Sequence, residues 1–133
     1  MTEATDMLKD SQAFSGFAVK DLAEAKTFYG QTLGLEVGED PDRGLDVHLP
    51  GGVHVFVYPK PDFVPATYTI LNFQVTDIDA EVEALTAAGV EMQRYPGLDA
   101  DAQGIVRDPR GPMIAWFTDP AGNIISVLQD NRG

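Results

Sequence analysis

One short pattern occurs twice and dictates how this chain can fold. Phe17-Ala18-Val19-Lys20-Asp21-Leu22 and Phe73-Gln74-Val75-Thr76-Asp77-Ile78 both read Phe-x-Val-x-Asp-aliphatic, and Asp21 and Asp77 lie 56 positions apart. In each copy an apolar residue alternates with a neighbour, as on a strand, and an aspartate then precedes a helical apolar period. Aspartate in that place is a good helix N-cap, because its carboxylate accepts from backbone N–H groups of the first turn. A chain of 133 residues is one domain by length. The repeat therefore predicts two copies of one small α/β unit built around a shared cleft.

Read in order, residues 1–12 are polar and charged and are expected to form a loose leader. The first unit spans residues 13–58. A strand over 13–19 leads to a helix with Leu22, Ala25, Phe28, Tyr29 and Leu33 on one face, and Gly34 stands where a C-terminal glycine belongs. Strands are expected over 35–39, 45–49 and 53–58, with turn chemistry at residues 40–44. Residues 59–66 carry Pro59, Pro61 and Pro65 and read as a linker. The second unit spans residues 67–129: a strand over 67–75, a helix bearing Ile78, Val82 and Leu85, then strands over 90–94, 113–118 and 124–128. Residues 95–112 form a long irregular connection, the kind that often serves as a lid or binding loop. The predicted fold class is α+β, with two paired βαβββ modules forming a cleft. One face of each sheet packs under its helix and the other faces the ligand.

Composition narrows the function classes. Nine basic and 21 acidic residues give a formal charge of −12, which repels phosphate backbones and anionic lipid surfaces. No nucleic-acid or membrane partner is expected. With no cysteine there is no disulfide, thiolate nucleophile or thiolate metal ligand. No apolar run approaches the roughly 20 residues a membrane helix needs, and a cytoplasmic location is the default expectation. Phosphate loop, dinucleotide fingerprint, His-Glu-x-x-His and nucleophile elbow are all absent.

Several motifs together resemble the vicinal oxygen chelate superfamily, which includes glyoxalase I, extradiol dioxygenases and fosfomycin- and bleomycin-resistance proteins. They are Val19-Lys20-Asp21-Leu22 with Phe28-Tyr29 and Leu33-Gly34-Leu35, then Val75-Thr76-Asp77-Ile78-Asp79, Ala88-Gly89-Val90, and Ala115 through Asn123. The resemblance covers roughly Phe14 to Leu128. It implies paired modules, frequent homodimers and small-molecule ligands. Metal enzymes of that superfamily place His or Glu at matched points on four strands. Here those points fall on Phe14, Val55, Ile70 and Ser126, which cannot hold a divalent ion. No metal and no other cofactor is expected.

The expected site follows from this register. Phe14, Val55, Ile70 and Trp116 would supply apolar contact, Gly16 room for close approach, and Asn72 and Ser126 polar anchors. Gln74 is a further polar group on the same strand as Asn72. Trp116, the single tryptophan, stands where fosfomycin-resistance relatives carry a substrate-contacting aromatic, and it would stack on a ring or a cation. In this register His54 points toward the helix, whereas His48 faces the cleft beside Asp46. Arg107 and Arg110 in the long connection could meet an anion. The leading reading is metal-independent binding of a small apolar, aromatic or cationic molecule between the modules. An alternative is a metal-free lyase or isomerase using His48 or groups of residues 95–112. A third is a partner-binding module whose cleft is filled by side chains.

Overall fold

The computed structural model describes residues 7–40 and 43–130. The first half of the expected leader and Pro41-Asp42 of the expected turn lie outside the described residues. A short turn of 3-10 helix, Leu8–Asp10, precedes the first sheet.

Strands β1 (Ser15–Val19), β2 (Glu36–Asp40), β3 (Gly44–Leu49) and β4 (Val53–Pro59) form one sheet in the order β1-β4-β3-β2. Strands β5 (Thr69–Gln74), β6 (Val106–Arg107), β7 (Met113–Thr118) and β8 (Ile124–Gln129) form the second in the order β5-β8-β7-β6. In both sheets the edge strand before the helix runs parallel to the last strand of its module, and the other pairs are antiparallel. The repeat is thus a repeat of topology. Both caps form: Asp21 accepts from Glu24 N–H and Asp77 from Ala80 N–H, each at 3.1 Å.

Helix α1 (Leu22–Thr27) widens into a π turn at Phe28–Thr32, closed by Leu33 N–H to Phe28 C=O at 2.9 Å. Helix α2 (Ile78–Ala87) buries Ile78, Val82 and Leu85, the predicted stripe. The structure differs from the sequence expectation at residues 90–94. They form no strand beyond a single bridge from Gln93 to Trp116, and the second module's fourth strand comes instead from Val106–Arg107 inside the long connection. Val90 is buried in the core; its side chain was satisfied by packing beside α2, without a ladder.

Each helix covers one face of its own sheet. Under α1 lie Val19, Leu45, Val47, Val55 and Val57; under α2 lie Ala115, Phe117, Ile125 and Val127. The modules join through the π turn. Phe28 packs on Phe117 with ring centroids 6.3 Å apart, and Tyr29 O–H donates to Asp119 Oδ2 at 2.7 Å. Asn123 Nδ2 donates across to Ala18 C=O at 2.9 Å. Gly44 also has a positional reason. Its φ is +151° and a Cβ there would lie 2.2 Å from Val57 C=O, so the entry to β3 admits no side chain.

Candidate functional site

Strand parity decides which side chains face away from the helices. In the first sheet Val55 and Val57 are 4% and 0% exposed and belong to the core. Successive side chains alternate, so His54, Phe56 and Tyr58 lie on the open face. The register carries that face across β3 and β1: His48 opposes His54, Asp46 opposes Phe56, and Gly16 pairs with Phe56. Phe14, just before β1, stacks on His54 with ring centroids 5.0 Å apart. Two expectations are corrected here. Val55 lies under helix α1 with the other valines, and His54 lies on the open side beside His48. A one-residue slip inverts every side chain of a strand. The Val-His-Val-Phe-Val-Tyr run is apolar enough on both faces to permit it.

In the second sheet Asn72, Trp116 and Ser126 share the open face. Ser126 opposes both others, and its hydroxyl donates to Asn72 Oδ1 at 2.6 Å. Gln74 lies on the same face by alternation. Trp116 Nε1 donates to Thr69 Oγ1 at 3.2 Å, and Tyr95 meets the indole at right angles with centroids 5.8 Å apart. Ile70 sits at a bulge where the β5–β8 register shifts, which removes it from simple alternation.

A cleft of about 430 Å³ runs along the junction of the modules, between edge strands β1 and β5. Gly16, Phe17, Tyr58, Tyr68, Thr69 and Ile70 line it. Gly16 and Ile70 therefore meet in one place, with Trp116 attached through Thr69. A Cβ on Gly16 would lie 3.1 Å from Phe56 C=O, so this glycine also serves the close approach of β1 to β4. Phe14 lines a second cavity, with Asp46, His54 and Phe56. Among the described residues no three His, Asp or Glu side chains are grouped so as to hold a metal ion, and no helix is long and apolar enough to cross a membrane.

The long connection is organised by Asp101. Its carboxylate accepts from Gln103 N–H and Ile105 N–H at 2.9 Å and from Arg107 Nε at 2.9 Å, while Arg107 also pairs with Asp79 at the start of α2. Arg107 is thus spoken for by two carboxylates, whereas Arg110 is largely exposed beside Asp108. Partial burial works to raise the Asp101 carboxyl. Hydrogen bonds from Arg107, Ile105 and Gln103 outweigh it and hold the group below the ordinary aspartate value. A depressed carboxyl contributes order above its unfolded value and loses it as pH falls through the folded one. The emission of Trp116, which Tyr95 of this loop meets edge-on, is expected to stay constant from neutral pH to about 4 and to shift below it. In Asp101→Asn the shift should be present at neutral pH, with far-UV circular dichroism unchanged.

The sequence model of the Glyoxalase/Bleomycin resistance protein/Dioxygenase superfamily matches residues 12–127. The chain belongs to this superfamily. Solved members share the architecture. A superfamily member from Sphaerobacter thermophilus DSM 20745 is 25% identical, with TM-score 0.66 over 90% of this chain and 98% of that one. TnmS3, an antibiotic binding protein from Streptomyces sp. CB03234, is 23% identical, with TM-score 0.64 over 91% and 98%. The genomically encoded fosfomycin resistance protein FosX from Listeria monocytogenes is 19% identical, with TM-score 0.66 over 92% and 94%. No curated protein matches the chain. The superfamily accounts for the duplicated sheets and leaves the ligand to be argued from the site.

The sequence reading did not find the Tyr29–Asp119–Asn123 contacts or the Asp46–His54 pair. The first was visible only as a hairpin, Asp119-Pro120-Ala121-Gly122-Asn123. The second required the parity of β4.

Proposed function

We propose that this superfamily member binds a small, largely apolar or aromatic molecule, including flat organic cations, in the cleft between the modules and without a metal ion. The observation that carries the reading is the cleft itself, of a size suited to a small ligand, where the aromatic and apolar groups Tyr58, Tyr68 and Ile70 stand among the polar ones Ser15, Thr69 and Asn123. Phe14, Ile70 and Ser126 stand at points where metal enzymes of the superfamily need imidazole or carboxylate, and Ser126 is already paired with Asn72. The acidic chain favours a cation over an anion. TnmS3 and FosX, with the same fold, are named for antibiotics. Exposed Val64 and Tyr68 at the junction cleft suit burial against a second copy, so a homodimer belongs to the same proposal, as does a cytoplasmic setting.

Thioflavin T, a flat aromatic cation, tests it. Its addition in the presence of a chelator should quench Trp116 emission saturably, with one site per chain. Ile70→Lys places a like charge in the cleft and should weaken binding at least about tenfold, a loss of about 1.4 kcal/mol. Quenching that is linear and matches free tryptophan would refute the reading.

A further inference from the structure

We propose that the open face of the first sheet carries a proton-transfer site in which His54 Nε2 is the base and Asp46 holds it in position. It goes beyond the small-molecule reading above and concerns a cavity separate from the junction cleft.

The geometry is specific. His54 Nδ1 lies 2.5 Å from Asp46 Oδ1. A carboxylate only accepts, so Nδ1 carries the hydrogen and Nε2 presents its lone pair. The Phe14 ring lies over the imidazole with an interplanar angle of 22°, which fixes the ring from a second side. His48 Nε2 stands 3.5 Å from the other oxygen of Asp46, so one carboxylate lies between two imidazoles. A strand-surface ion pair alone contributes little to stability and needs no such arrangement. Here Asp46 and His54 border a cavity of about 430 Å³, with Phe14 and Phe56 as aromatic walls and Gly38 leaving the side toward β2 open.

The lining selects the substrate. Glu39 and Asp40 also border the cavity and oppose an anion, and Arg43 supplies a positive charge. Glu39 is paired with Lys26 at 3.0 Å. A small neutral ketone or aldehyde with a flat apolar group fits: the ring packs on phenylalanine, and a C–H next to the carbonyl meets the base. His54 Nε2 takes that proton. The C–H electron pair becomes the C=C bond of an enolate, and the carbonyl π pair moves to oxygen, where Arg43 offsets the charge. Return of the proton to carbon or to oxygen completes an exchange or isomerisation that needs no oxidant, reductant or co-reactant.

Phenylacetone in deuterium oxide is the probe, and replacement of its benzylic hydrogen is followed by proton NMR. The wild-type chain should exchange it at least about 100-fold faster than an equal concentration of free imidazole. His54→Gln should lose about 100-fold, while Val53→Thr, at an exposed neighbour, should retain the rate. Asp46→Asn should slow exchange and, by nitrogen-15 NMR, turn the His54 ring from one tautomer to a mixture, a signature that a merely structural role would not produce. Exchange no faster than imidazole, or unchanged in His54→Gln, would overturn the proposal. Saturable thioflavin T binding without exchange sinks the proton-transfer site alone. Exchange without thioflavin T binding supports this site and sinks the junction-cleft reading.

Discussion

Tyr29→Phe is expected to lower the unfolding free energy by about 2 kcal/mol, and Asp119→Ala by about 4 kcal/mol. Asp119 is 3% exposed, yet its carboxylate has four donors: Tyr29 O–H at 2.7 Å, Asn123 N–H at 2.9 Å, Ala121 N–H at 3.0 Å and Asn123 Nδ2 at 3.1 Å. A buried charge survives only when it is satisfied this fully. Removing the phenol leaves three donors and a partly uncompensated charge. Removing the carboxylate leaves the phenol, a buried amide and two backbone N–H groups without their acceptor. Burial, and then the Asp119 charge and hydrogen bond, push the Tyr29 phenol well above its ordinary value, so it remains a donor at any working pH. Because Tyr29 belongs to the first module and Asp119 to the second, the pair ties the modules together. Urea titration of the two single variants and of the double variant checks this. The double variant should be clearly less destabilised than the sum of the singles, as groups in contact require. Additive losses would mean that the phenol and carboxylate act independently.

Val55→Asp should cost about 4 kcal/mol or prevent folding, whereas His54→Gln should change stability by less than about 1 kcal/mol. Val55 lies in the core among Val47, Val57 and Leu45, where a carboxylate has no partner and no water. His54 is 40% exposed at the side chain, and its contacts are with Phe14, Asp46 and His48 on the open face. Because Val55→Asp risks an insoluble product, Val55→Ala serves as a milder companion. It should still cost on the order of 2 kcal/mol, from lost burial and the cavity left behind. Thermal unfolding of these variants reads the parity of β4 directly. If Val55 faced the open side, the order of the two positions would be reversed.

The parts of this fold that the sequence states openly are those set by local chemistry. Asp21 and Asp77 cap their helices because an aspartate before an apolar period has few other uses. The stripe Ile78, Val82 and Leu85 is buried because its spacing matches one helical face. Asn72, Trp116 and Ser126 fall on one face of the second sheet because the register sets Ser126 opposite both of the others. The first sheet was harder. Val53, Val55 and Val57 alternate with His54, Phe56 and Tyr58, so both faces of β4 carry apolar groups and pattern alone does not fix the register. Residues 90–112 were harder again. Their order comes from Asp101 gathering two backbone N–H groups and Arg107, all within six residues, in an aperiodic arrangement with no repeat to betray it. The bulge at Ile70 was hidden for a third reason: it inserts one residue, and counting positions back from Val75 cannot detect it.

Native mass spectrometry of the purified chain, before and after treatment with a strong chelator, tests the central claim most directly. The account predicts a dimer of twice 14.4 kDa that retains a small organic adduct and keeps it when chelator is added. One transition-metal ion per chain, with the adduct lost when that ion is removed, would contradict it.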